Sequence, residues 1–135
     1  MPRNVRVVEA VRGRSVAGMS DFFDREGDRA YNRVYKAETP DILKAWVDFD
    51  SAVFAPEGRE IPLKYRELIA LAVGVTTQCT YCIDAHAQKA VRAGASEAEL
   101  AEAAWVATAI RAGGGFAHGR LAFKLAQDAA PAHTH

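Results

Sequence analysis

The residues best suited to do chemistry are Cys79, Cys82 and His86, within the stretch VGVTTQCTYCIDAHAQKAVRA over residues 73–93. The chain has two cysteines, and His86 follows the second by four residues. On a helix turning about 100° per residue, positions 79, 82 and 86 fall within roughly 60° of one another, so two sulfurs and an imidazole share a face. A helix starting near Thr77 or Gln78 places both thiols in its first turns, where unpaired N–H groups and the positive end of the macrodipole stabilise a thiolate. In that setting a Cys-x-x-Cys thiol can drop from about 8.5 to near or below 7, which populates the nucleophile at neutral pH. The spacing also lets the pair close into a disulfide, and His86 is placed to relay protons.

The competing chemistry is a metal site. Two thiolates and an imidazole, completed by Glu67 or His118, make a tetrahedral zinc set. Structural zinc sites usually draw ligands from two separate knuckles, whereas here three candidates lie on one helix without a second cysteine pair. Twelve residues before Cys79, Glu67 opens the apolar run Leu68 to Val75. It is either an acid turned towards the next helix or a surface residue paired with Lys64. Tyr81 either donates to a thiolate or lines an entrance. His118 is a possible accessory group or an interhelical residue, and Arg111 a helix-dipole partner or a substrate anchor.

The elements that must position these groups read as helices throughout. Ser20 caps a first helix, with Asp21 and Asp24 in its opening turn and Gly27 weakening it. Thr39-Pro40-Asp41 starts a second, with Thr39 as N-cap, and its apolar face runs from Ile42 to about Phe54. Pro62 opens a third that is apolar almost all round after Glu67, the mark of a central helix. A bend at Gly74 and Thr76-Thr77 leads into the cysteine helix and brings the helix that carries Glu67 back beside His86. That helix ends at Gly94, and Ser96 to Glu99 is a capping box for the next. Gly113-Gly114-Gly115 predicts a bend, followed by a helix over about residues 116–127. Trp46 and Trp105 read as core. No alternating strand pattern appears, so the expectation is an all-α fold.

With 135 residues, half of them hydrophobic and a quarter charged, the chain reads as a single domain over residues 1–135, with an irregular arm over residues 1–20. Zero formal net charge gives no broad field for nucleic acid or an anionic membrane. The first twenty residues are interrupted by charges and lack an apolar leader core, so a cytoplasmic location is expected. In a reducing cytosol, a close cysteine pair points to catalysis or metal binding rather than a structural staple.

Glu67, Cys79-Thr80-Tyr81-Cys82 and Ile83-Asp84-Ala85-His86, followed by a segment ending AIRAGGGFAHG, together resemble the alkylhydroperoxidase D-like, carboxymuconolactone decarboxylase superfamily over residues 61–123. The resemblance implies a compact all-α subunit packed into a homo-oligomer, a trimer or a hexamer. It implies a thiol-dependent peroxidase, with Cys82 attacking a hydroperoxide and Cys79 resolving it to a disulfide. Glu67 and His86 match a proton relay. It implies no bound cofactor or metal, and a dithiol reductant such as a lipoyl-bearing or thioredoxin-like protein. The best-studied members carry a histidine where this chain has Tyr81. The superfamily name also covers carboxymuconolactone decarboxylase-type lactone enzymes, whose chemistry needs acid–base groups and a carboxylate anchor rather than a thiol pair. A helical oligomeric protein with a structural zinc site is the reading from a different class.

Overall fold

The computed structural model describes residues 24–129, apart from the side chains of Glu26 and Asp128. The arm expected over residues 1–20 and the cap expected at Ser20 lie outside them. Six helices and no strand occur among the described residues. They divide between two compact units, one ending at Thr39 and the other beginning at Pro40.

In the first unit, α1 spans Arg25–Arg29 and α2 spans Asn32–Glu38. The helix runs through Gly27, and the break falls instead at Ala30 and Tyr31. Thr39, expected to cap the following helix, turns its hydroxyl back and donates to the Tyr35 carbonyl at 3.4 Å.

The second unit holds α3 (Pro40–Val53), α4 (Leu63–Thr77), α5 (Thr80–Arg92) and α6 (Glu97–Asp128). α4 packs against both α5 and α6, which makes it the central helix its apolar sequence predicts. It buries Glu67, Leu68, Leu71 and Gly74, residues spaced to fall on one stripe. Leu68 meets Ala90 and Ala95, with Leu100 and Ala103 packed alongside. These contact residues are mostly small, so the helices approach closely. At Gly74 an added Cβ would sit 3.2 Å from Cys82 Cβ and 3.3 Å from the Ile83 nitrogen.

The turns between these helices are closed by main-chain bonds. α4 stops at Gln78, whose φ of 57° is left-handed, and the Cys79 N–H donates to Gly74 O at 2.9 Å. Arg111 on α6 donates to the Thr76 carbonyl and to Gln78 Oε1, and so holds the negative end of α4 from outside. The dipole it serves is that of a neighbouring helix rather than its own. At the end of α5, Ala95 N–H reaches Ala90 O at 2.9 Å and Gly94 N–H reaches Val91 O at 3.0 Å. With Gly94 at φ 93°, this is a Schellman motif. Ser96 and Glu99 then form the predicted capping box.

Two expectations are corrected. α6 is continuous over 32 residues, without a bend at Gly113 to Gly115. Mid-helix glycine costs only about 1 kcal/mol relative to alanine, and Gly113, Gly114 and Gly115 meet no clash that would force a turn. Trp46 and Trp105 are 61% and 71% exposed rather than core, because none of the described residues covers most of either indole. None of the described helices is long and apolar enough to cross a membrane.

Lys64 Nζ lies 2.7 Å from Glu99 Oε1, which ties α4 to the start of α6. The Lys64 hydrogen bond holds the Glu99 carboxyl below its ordinary range, and the same bond raises Lys64. A carboxyl that ionises more readily in the folded chain stabilises it above the unfolded value, and that contribution fades as pH falls below about 4.5. The melting-temperature gap between wild type and Glu99→Gln should therefore close as pH is lowered from 6 towards 3, roughly, in thermal melts. A gap that stays constant would contradict the assignment. Gly74→Val should lower stability by about 1–3 kcal/mol in chemical denaturation through overpacking against α5, and an unmoved midpoint would show that the helices part freely there.

Candidate active site

The turn between α4 and α5 fixes the sulfurs. Cys79 is not within the helix but at its N-cap, with φ −88° and ψ 96°, one position before the first helical residue. Its Sγ accepts the N–H of Cys82 at 3.2 Å, the role usually taken by a serine or aspartate oxygen. One orphan N–H of the helix start therefore points at the Cys79 sulfur, where it favours negative charge. Cys79 and Cys82 are joined by a disulfide, with Cα atoms 5.2 Å apart.

One turn further along α5, His86 Nδ1 lies 2.6 Å from Glu67 Oε2. Glu67 is 3% exposed and the imidazole 15%. Of the two readings open for Glu67, the buried acid facing the next helix is the one found, and Lys64 pairs with Glu99 instead. An ionised carboxylate can only accept, so pairing with one puts the hydrogen on Nδ1 and leaves Nε2 as the nitrogen available for exchange. Phe54, just beyond the end of α3, packs on the imidazole with ring centroids 4.9 Å apart and planes tilted by 34°. Lys89 Nζ stands 5.5 Å over the same phenyl ring.

Cys82 and His86 open into a common cleft of about 430 Å³. Most of its wall is apolar, drawn from Val53, Phe54, Ile61, Ile69, Ala70, Val73 and Gly74, with Thr77 and Arg66 as further polar members. Cys79 is not among the lining residues, so the two sulfurs of one disulfide have different surroundings. Arg66 does not present a free fork to this space. Its Nε donates to Ile61 O at 2.8 Å, and its two Nη groups donate to the carbonyls of Val53 and Ala55.

The other candidates are not brought here. Tyr81, in the first turn of α5, is half exposed and does not line the cleft. His118 lies on the exposed second half of α6, also outside the lining. Asp84 accepts from Gln88 Nε2 at 2.9 Å. Among the described residues, no group of three or more His, Cys, Asp and Glu side chains is arranged to hold a metal ion. Phe54 and Arg66 were not singled out by sequence. Phe54 reads as the end of an apolar helix face, and the partners of Arg66 are carbonyls, which every residue carries.

The chain is similar to known proteins. A sequence model of the carboxymuconolactone decarboxylase family matches residues 40–125. The chain is 37% identical over 84 residues to a Paracoccus denitrificans protein described as uncharacterized protein 4 in the cox locus, covering 62% of this chain and 74% of that one. It is 51% identical over 51 residues to an uncharacterized protein of Haemophilus influenzae, covering 38% of this chain and 43% of that one. The crystal structure of a protein from Methanobacterium thermoautotrophicum superposes with a TM-score of 0.58 at 35% identity, over 64% of this chain and 97% of that one. The family match spans more than half of the chain and the structural match is consistent with it, and the chain belongs to the carboxymuconolactone decarboxylase family.

Proposed function

We propose that the chain is a thiol-dependent peroxidase that reduces hydroperoxides through Cys82 and Cys79. The observation that carries this reading is the buried Glu67–His86 pair, whose imidazole shares a cleft with Cys82. In the reduced protein, Nε2 of His86 takes the Cys82 proton, and Glu67 stabilises the resulting imidazolium. The thiolate attacks the terminal oxygen of the hydroperoxide. An S–O bond forms as the O–O bond breaks, and the departing alkoxide takes the proton back from His86 to leave as an alcohol. Cys82 is then a sulfenic acid. The Cys79 thiol attacks its sulfur, the S–S bond forms, and the hydroxide leaves as water with the proton that Cys79 gives up. A dithiol, of the lipoyl-bearing or thioredoxin-like kind, reduces the disulfide by exchange and is itself oxidised. Such a cycle suits a reducing, cytoplasmic compartment.

A lactone decarboxylase needs a carboxylate anchor, and Arg66, the cation among the described cleft residues, already donates to three main-chain carbonyls, which favours the thiol reading. The apolar side chains left uncovered, among them Trp46, Phe49, Trp105, Phe116 and Phe123, favour assembly as the trimer or hexamer that the family resemblance implies.

Titrating the reduced protein with tert-butyl hydroperoxide should consume two thiols per chain without an intermolecular crosslink, and dihydrolipoamide should restore them. In Cys82→Ser, peroxide consumption should vanish. In Cys79→Ser, one sulfenic acid per chain should become trappable by dimedone. Thiols that survive excess hydroperoxide would end the peroxidase reading. Glu67→Gln should slow hydroperoxide consumption by about 10²-fold in stopped-flow traces at neutral pH. An unchanged rate would remove Glu67 from the relay.

A further inference from the structure

We infer that Arg66 and Phe54 form a positioning unit that holds the imidazole of His86 in register for Cys82, a role that rests on the thiol reading of this site. Arg66 and Glu67 are consecutive residues of α4, and they grip the imidazole's surroundings from two sides. Glu67 fixes the ring through Nδ1 at 2.6 Å. Arg66 reaches the carbonyls of Val53 and Ala55, the residues immediately before and after Phe54, and through Nε also reaches Ile61. Bonds to both flanking residues restrict the backbone of Phe54, whose ring then lies against the imidazole. A single hydrogen bond leaves a histidine free to swing about that bond, and a ring packed on it removes this freedom.

The charges around the unit are defined. Glu67 lies on the far side of the imidazole from the exchangeable Nε2, Lys89 stands over the phenyl ring, and the Arg66 guanidinium is held by neutral carbonyls. Phe54 and Arg66 give and take no proton. Their effect on the thiol passes through the orientation of His86, and both therefore act as one element.

The test measures alkylation of Cys82 by iodoacetamide in the reduced protein, with the modified cysteine identified by peptide mass spectrometry, across a pH series. The His86 ring signals are followed in parallel by NMR. Phe54→Ala and Arg66→Met should each slow Cys82 alkylation at pH 7 by about threefold or more, and the double variant should be no slower than either. Phe54→Tyr should keep the wild-type rate, because it keeps the ring. Should Arg66→Met fail to fold, Arg66→Lys keeps the charge but cannot span three carbonyls, and the same slowing is expected of it. Folded Arg66 variants with a wild-type alkylation profile and unmoved His86 signals would overturn the inference, as would losses that simply add in the double variant. Hydroperoxide consumption separates the two claims. A protein that consumes hydroperoxide while its alkylation ignores Arg66 and Phe54 keeps the peroxidase reading and loses this one. The coupled slowing in a protein inert to hydroperoxide does the reverse.

Discussion

The contact between Glu67 and His86 constrains the rest of this structure. A carboxylate at 3% exposure has lost almost all of its water, and the hydrogen bond to imidazole is what the fold offers in return. An ionised Glu67 left without its partner in that space would cost several kcal/mol, on the order of the penalty for an uncompensated buried charge. α4 and α5 must therefore meet at one register. The small residues at Gly74 and Ala90 allow the two helices to come close enough for short side chains to touch.

The same register governs the sulfurs. Because Gln78 reverses the chain in a left-handed conformation and the Cys79 N–H returns to Gly74 O, the cysteine pair begins directly beneath the end of α4. Arg111 secures that end from α6. Three helices thus converge on a turn of a few residues. The two cysteines emerge from it unequal, Cys79 receiving a helix N–H at its sulfur and Cys82 lining the cleft. The proposed division of labour between an attacking and a resolving thiol needs an asymmetry of that kind.

Much of this was legible in the sequence, for identifiable reasons. The capping box at Ser96, the glycine stop at Gly94 and the proline start at Pro40 are local devices whose partners lie within a few residues. The all-α fold and the central place of α4 follow from apolar periodicity in the same way. What sequence left open depends on distance along the chain. Glu67 could not be separated from a surface acid, because its partner is nineteen residues away. Phe54 meets His86 across a separation no periodicity reports, and Arg66 binds backbone rather than side chains. Local pattern misled at Trp46 and Trp105, where apolar character was taken for burial inside one chain. It misled again at Gly113 to Gly115, where weak helix formers were taken for a break although nothing nearby competes with the helix.

The stripe on α4 carries a consequence for how this chain can vary. Glu67, Leu71 and Gly74 are spaced four and three residues apart, so the acid, a core leucine and the glycine under Cys82 share one edge of a single rigid rod. Loss or gain of one residue between positions 67 and 74 would rotate one end of that rod by about 100° relative to the other. The acid would turn away from the imidazole while a side chain entered the glycine's place. A substitution here acts at one position, whereas a change of length displaces every position beyond it. Related chains that keep the paired acid and imidazole are expected to confine their insertions and deletions to the connections outside it.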